Sequence, residues 1–209
     1  MISNYKYTNS ELNESHKFLL PTVTDLLNGF GTRLCEKKFF ELGCGNGSVG
    51  NFFSDLGWAV TGIDASSDGI KLANAKYPHL NLRAGSVYDE LELIYGRFPI
   101  ILSLEVIEHL YAPRDFCKSA YNLLEEDGVL ILSTPYHGYL KNLALAITGL
   151  MDKHFTALWD GGHIKFWSVK TITALLNESG FSVESVFKVG RIKPIAKSMI
   201  IVARKNNCV

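Results

Sequence analysis

Two acidic residues and a histidine lie within five positions of one another, in the segment Glu105-Val-Ile-Glu108-His109. The segment directly follows an apolar run, residues 98–104, that is typical of a buried strand. Charged side chains at this position cost free energy unless they are paired or bind a ligand. The segment is therefore a candidate functional site.

A second candidate is the glycine-rich segment that follows an earlier apolar run ending in Glu41-Leu42. Glycines at Gly43, Gly45 and Gly47 allow positive φ and close approach of a ligand to the backbone at a helix N-terminus. A G-x-G-x-x-G pattern that ends at Gly50 is also present, as in dinucleotide-binding proteins. Its first glycine, however, comes two residues after Gly43. The acid at Glu41 suits a ligand with an ammonium group, which a pyrophosphate lacks.

A third candidate is Asp64, at the end of the next apolar run, residues 59–63. An acid at the end of the second strand can accept hydrogen bonds from both ribose hydroxyls of an adenosine. The position supports an adenosyl ligand and does not distinguish S-adenosylmethionine (SAM) from NAD.

Alternating segments position these residues. Apolar runs predict strands at 38–42, 59–63, 80–84, 98–104, 129–133, 183–189 and 197–204. Helices are predicted at 10–27 (interrupted by Pro21 and stopped by Gly29 and Gly31), 48–56, 67–77, 113–124 and 168–177. This order predicts one doubly wound α/β domain with a mostly parallel seven-stranded sheet, which binds ligands at the carboxyl ends of its strands. Residues 1–35 form a predicted N-terminal helical cap, and residues 136–162 a helical lid insertion.

The composition of the chain excludes some functional classes and favours others. The 209 residues contain 21 Lys and Arg against 21 Asp and Glu, which argues against a nucleic-acid partner. The four cysteines are widely spaced, and neither a signal-peptide segment nor an apolar run of membrane-spanning length is present. We expect a cytoplasmic protein.

The three candidates together resemble the class I SAM-dependent methyltransferases, whose first motif matches Glu41 to Gly47. The full Glu-x-x-Glu-His segment resembles the O-methyltransferases of ubiquinone biosynthesis and the small-RNA 2′-O-methyltransferases. Gly161-Gly162-His163 resembles a later motif of the ubiquinone-pathway branch. Near the adenine the family often has an acidic residue, whereas this sequence has Ser86. The Val87 amide could bind the adenine instead. The resemblance implies the following cofactor contacts: Glu41, Gly43, Cys44, Gly45, Gly47, Asp64, Ala65, Ser86, Val87 and Leu104.

The resemblance also implies a Mg²⁺-type site at Glu105, Glu108, His109 and His163. A phenol or ribose hydroxyl is a poor nucleophile until it loses its proton. A metal, with His109 as general base and Glu108 beside it, could remove that proton. The predicted reaction is methylation of an oxygen on a small or lipid-like acceptor.

The insertion allows two interpretations. Its apolar residues recur at helical spacing, which predicts a helix packed as a lid over the acceptor. By resemblance to the ubiquinone-pathway enzymes, residues 139–151 are instead expected to touch a membrane surface peripherally.

Three alternatives remain at this stage. The acceptor could be an RNA ribose, a sugar or a carboxylate. The protein could be a nicotinamide-dependent oxidoreductase, or a SAM-binding protein without catalytic activity.

Overall fold

The computed structural model describes residues 7–155, 157–192 and 195–206. They form one seven-stranded sheet of order β3-β2-β1-β4-β5-β7-β6. The strands are β1 (Lys38–Leu42), β2 (Ala59–Asp64), β3 (Asn81–Ala84), β4 (Phe98–Leu104), β5 (Leu124–Pro135), β6 (Phe181–Val189) and β7 (Ser198–Lys205). The first five strands are parallel, and β7 runs antiparallel to both β5 and β6. The predicted fold class is confirmed.

Helices connect the strands. They are α1 (His16–Gly31), α2 (Ser48–Asp55), α3 (Ser67–Lys76), α4 (Leu91–Tyr95), α5 (Pro113–Leu123), α6 (Tyr139–Ile147), α7 (Met151–Phe155) and α8 (Val169–Glu178). The short helix α4 was not predicted. A 3₁₀ turn (Ile107–His109) follows β4.

The central strands bury both of their faces, because successive side chains point to opposite sides of a sheet. In β4, Ile101 packs into the layer that contains α5 and α8, whereas Ile100 and Leu102 pack into the layer that contains α1, α2 and α3. Because both layers are apolar, the polar residues of the central strands lie at the strand ends, where the parallel strands and their helices diverge.

Helix α1 differs from its predicted bounds at both ends. Asn13 Oδ1 accepts hydrogen bonds from the amides of Ser15 and His16, at 2.9 and 3.1 Å. This local bonding competes with helix formation over the preceding residues, so the helix begins at His16 and not at residue 10. Pro21 lies inside the helix, which continues to Gly31.

The insertion forms two helices, separated at Gly149, which has φ +68°. No residue of α6 is buried, so its apolar residues do not pack into the core. Exposed side chains include Tyr139, Leu140, Leu143, Ile147, Leu150 and Met151. Among the described residues, no helix has the length and apolar character needed to cross a bilayer.

Candidate active site

A cleft of about 1010 Å³ lies at the carboxyl ends of the parallel strands. Every predicted site residue lines it except Gly47. A Cβ atom on Gly47 would lie 2.9 Å from side-chain carbons of Ala73 and Leu82, so this glycine serves the packing of the loop against its neighbours. The cleft therefore brings together predicted site residues that lie at the ends of four different strands, β1 to β4.

The glycine loop has the register expected from Glu41. Gly43, Gly45 and Gly47 have φ values of +86°, +53° and +75°, which favour glycine. Gly50 instead lies within α2, where its Cα faces the Glu41 carboxylate. Positive φ thus occurs at Gly43, which lies outside the dinucleotide pattern, and not at Gly50, which completes that pattern.

The Glu41 carboxyl is buried, with only 2% of the residue exposed. Its Oε2 atom has no hydrogen-bond partner among the described residues. Burial raises the pKa of Glu41 well above its usual range, and the nearby Asp64 carboxylate raises it further. A buried acid with an unused oxygen is the kind of group that a ligand's ammonium would satisfy.

Asp64 ties the end of β2 to the glycine loop. Its Oδ2 accepts a hydrogen bond from the Gly45 amide at 2.9 Å, and its Oδ1 accepts one from the Ser66 amide at 2.7 Å. Burial raises the pKa of Asp64, while these two amide hydrogen bonds act in the opposite direction. Since each carboxylate oxygen can accept more than one hydrogen bond, both remain able to receive ribose hydroxyls.

Ser86 closes a turn after β3. Its hydroxyl accepts a hydrogen bond from the Tyr88 amide at 3.2 Å, and its own amide donates to Asp89 at 2.9 Å. The side chain that replaces the family's acid is thus occupied locally. Val87 lines the cleft beside it, with its side chain largely buried.

Glu105 does not join the other predicted metal ligands. Its carboxylate accepts hydrogen bonds from the hydroxyls of Ser133, at 2.8 Å, and Ser198, at 3.2 Å. It thereby links the ends of β4, β5 and β7. Glu105 also has φ +56°, which is rare for a residue with a side chain. Its role in this structure is to hold the turn that carries Glu108 and His109.

Glu108, His109 and His163 form the group that could hold a metal ion. One possible ligand atom from each lies within 4.8 Å of the others, and Glu105 is not part of this group. Glu108 Oε2 accepts a hydrogen bond from Thr134 at 3.1 Å, whereas its buried Oε1 has no hydrogen-bond partner in the described part of the chain and lies 4.0 Å from His163 Nε2. Burial raises the pKa of Glu108 well above its usual range, and the charge of Glu105 adds to this.

The tautomer of His109 follows from its neighbours. Its Nδ1 lies 2.9 Å from the carbonyl oxygen of Gly161 and 3.2 Å from that of Gly162. A nitrogen that faces two carbonyls must donate, so the lone pair of the neutral ring is on Nε2. Burial lowers the pKa of His109, against the effect of the two carbonyls, and therefore favours this proton-accepting form.

The N-terminal segment and the insertion complete the wall of the cleft. Residues 7–15, ahead of α1, contribute Tyr7, Asn9 and Glu11 to the lining. Residues 1–35 were expected to form a cap, but no motif marked these three as site residues. His137 and His154 also line the cleft, packed with Phe155 and Phe166.

Comparison with known proteins identifies the class. Residues 14–186 match the family described as a methyltransferase domain, and the chain therefore belongs to this family. A magnesium protoporphyrin IX methyltransferase from Synechocystis, solved with bound S-adenosylhomocysteine (SAH), has a TM-score of 0.68 at 17% identity. The alignment covers 98% of this chain and 91% of that one. The class is that of the SAM-dependent methyltransferases.

The most informative relatives are ubiquinone biosynthesis O-methyltransferases. The protein from Glaesserella parasuis is 37% identical over 123 residues, which cover 55% of this chain and 50% of that protein. The protein from Caulobacter vibrioides is 35% identical over 113 residues, covering 52% and 44%. The chain thus spans about half the length of these curated relatives.

Proposed function

We propose that the protein transfers a methyl group from SAM to a hydroxyl oxygen of a small or lipid-like acceptor. The observation that carries the proposal is the hydrogen bonding of His109, whose Nδ1 faces the carbonyls of Gly161 and Gly162, so that the lone pair of its neutral ring is on Nε2. It lines the same cleft as the glycine loop and Asp64. The names of the relatives support oxygen as the acceptor atom.

The donor site is assigned to residues that fit it. Glu41, with its unused oxygen, would accept the ammonium group, and Asp64 the ribose hydroxyls. When bound, SAM supplies an electrophilic methyl group on its sulfonium sulfur. The chain holds the acceptor oxygen in line with that methyl group, and His109 Nε2 accepts the hydroxyl proton as the new C–O bond forms and the C–S bond breaks.

The residues present also fit a divalent ion, since Glu108 Oε1 is buried beside two imidazoles and has no hydrogen-bond partner among the residues that the structure describes. With Glu105 bonded to serines, the donors are two nitrogens and one carboxylate. Such a set suits Zn²⁺ or Mn²⁺ better than the Mg²⁺ expected from the sequence. A bound ion would lower the pKa of a hydroxyl. Because His109 has a single free lone pair, an ion and a proton compete for it.

The proposal is tested by incubating the protein with SAM and a panel of hydroxyl acceptors. A catechol, a ribonucleoside, a hexose and a carboxylic acid cover the alternatives, and mass spectrometry locates the added methyl group. We expect an O-methylated catechol-type product. Methylation confined to the ribonucleoside, the sugar or the acid would refute the acceptor class, and no SAH from any acceptor would refute catalysis. Turnover that EDTA abolishes would refute His109 as the proton acceptor in favour of the ion.

We also propose that the exposed face of residues 139–151 contacts lipid around such an acceptor. Ile147, 76% exposed, belongs to this face, and the exposed Lys153 lies beside it in α7, whereas the Lys141 ammonium is hydrogen-bonded to the Tyr136 carbonyl. Liposome co-sedimentation should retain the protein at low salt, and Ile147→Glu should reduce retention. The matched control is Ile94→Glu in α4, where the isoleucine is 67% exposed on another surface. Equal retention of both variants would contradict the proposal.

A further inference from the structure

The residues ahead of α1, numbers 7–15 and hereafter the strap, pass over the glycine loop. Tyr7 packs on this loop so closely that a Cβ atom on Gly45 would lie 2.4 Å from its hydroxyl oxygen. A Cβ on Gly69 in α3 would lie 2.8 Å from the same ring. Both positions must therefore remain glycine for the strap to lie where it does.

Asn46, inside the glycine loop, holds the strap. Its Nδ2 donates to the carbonyl oxygens of Asn9, at 2.9 Å, and Glu11, at 3.1 Å. Its Oδ1 accepts from the amide and the hydroxyl of Ser48, at 3.2 and 2.8 Å. The amide group is thus fully used, with one end on the loop's own helix and the other end on the strap.

A second attachment comes from the end of α3. The Tyr77 hydroxyl donates to the carbonyl oxygen of Ser10 at 2.7 Å, and Lys76 forms an ion pair with Glu11. Tyr77 does not line the cleft, whereas the strap and the glycine loop both do. A change at the Tyr77 hydroxyl can therefore affect a ligand in the cleft only indirectly, by way of the strap, α3 or Gly47 of the glycine loop, against which the Tyr77 ring packs.

We propose that the strap closes the cofactor site, and that Asn46 and Tyr77 are positioning residues that set how long SAM or SAH stays bound. The inference rests on the proposed use of SAM. A ligand held between Glu41, the glycine loop and Asp64 lies beside the strap, so the strap must open before the ligand leaves. A neutral hydrogen bond changes such an opening equilibrium by about two- to tenfold.

The test uses the whole 209-residue chain, with SAH as the probe. The SAH dissociation rate is measured by stopped-flow chase with excess competitor. Tyr77→Phe should raise this rate by about two- to tenfold. Asn46→Asp keeps the oxygen that faces Ser48 but loses both donors to the strap, and should raise the rate further. The matched control is Tyr121→Phe, which removes a hydroxyl bonded to the Asn206 carbonyl at 2.8 Å, outside the cleft.

Hydrogen exchange at residues 9–11, measured on the same variants, shows whether the strap opens more often. It therefore distinguishes a failure of the strap proposal from a failure of the assigned donor site. Faster exchange in Tyr77→Phe with SAH release at the wild-type rate would overturn the proposal, because the strap would then open without consequence. Unchanged exchange in both variants would overturn it as well, because the two residues would not hold the strap. A wild-type protein that fails to bind SAH would instead refute the assigned donor site, and the inference with it.

Discussion

The amide of Gly45 donates to Oδ2 of Asp64 over 2.9 Å, which joins the glycine loop to the end of β2. The same carboxylate accepts the Ser66 amide at the start of α3. One half-buried acid therefore joins the glycine loop to the start of α3. If Asp64 also binds the ribose, as proposed, the geometry of the loop and the binding of the ligand are coupled through this residue.

Asp64→Asn should weaken SAH binding by about ten- to a hundredfold, because hydrogen bonds to a charged group contribute about 1.5–3 kcal/mol. Isothermal titration with SAH measures the effect. Asp68→Asn serves as the control, since Asp68 is exposed in the first turn of α3. Affinities of the Asp64 variant and the control that agree within twofold would contradict the assignment.

His109→Gln should slow methyl transfer by about 10²- to 10⁴-fold, the usual contribution of a general base, with little change in SAH affinity. His79→Gln, at an exposed histidine, is the matched control. Because burial lowers the pKa of His109, its neutral form persists as the pH falls below 6.5. The acid limb of the wild-type kcat profile should therefore lie below pH 6.5, and a limb at or above it would exclude His109 as the base.

Much of the fold was predictable because the central strands are apolar on both faces. Strand β1 has the bounds predicted from residues 38–42, and β4 those predicted from 98–104. The strap was not predictable. It is held largely through its own backbone carbonyls by Asn46 and Tyr77, and such contacts leave no mark on the sequence of the segment they hold.

The residue types of the candidate site were predictable, but the direction of each side chain was not. Glu105 and Glu108 are three positions apart, and both were expected to face a metal. Positive φ at Glu105 turns the chain, so that its carboxylate meets Ser133 and Ser198 while Glu108 faces His163. The serines that decide this lie on strands distant in sequence.

The positive φ at Glu105 predicts that a glycine variant at this position is more stable than an alanine variant, the reverse of the usual order. Glu105→Ala and Glu105→Gly both remove the acceptor for the two serine hydroxyls, but only alanine must still hold φ near +56°. The glycine variant should therefore be more stable in urea by about 1–2 kcal/mol. At exposed Lys118, inside α5, the order should reverse, with glycine about 1 kcal/mol less stable than alanine. The same order at both sites would contradict the structure at Glu105.

Glu41→Gln should raise the stability of the ligand-free protein at high pH and weaken the binding of SAH. The unfolded Glu41 carboxyl ionises near pH 4.5, whereas the folded one keeps its proton to higher pH because burial raises its pKa. As the pH rises above 4.5, this group therefore lowers the stability of the wild-type protein, by up to about 1.36 kcal/mol per pH unit, until the folded group ionises. Glutamine does not titrate, so the variant should gain on the wild type between pH 4.5 and pH 8.

Urea unfolding of the ligand-free proteins at the two pH values measures this gain, with Glu36→Gln at an exposed position as the control. The same Glu41 variant should bind SAH at least tenfold more weakly, because glutamine cannot ionise to pair with the ligand's ammonium group; a tenfold loss corresponds to about 1.4 kcal/mol. A variant less stable than the wild type at pH 8 would show that the buried carboxylate is stabilised by the protein itself. Unchanged affinity for SAH would place the ammonium group elsewhere in the cleft.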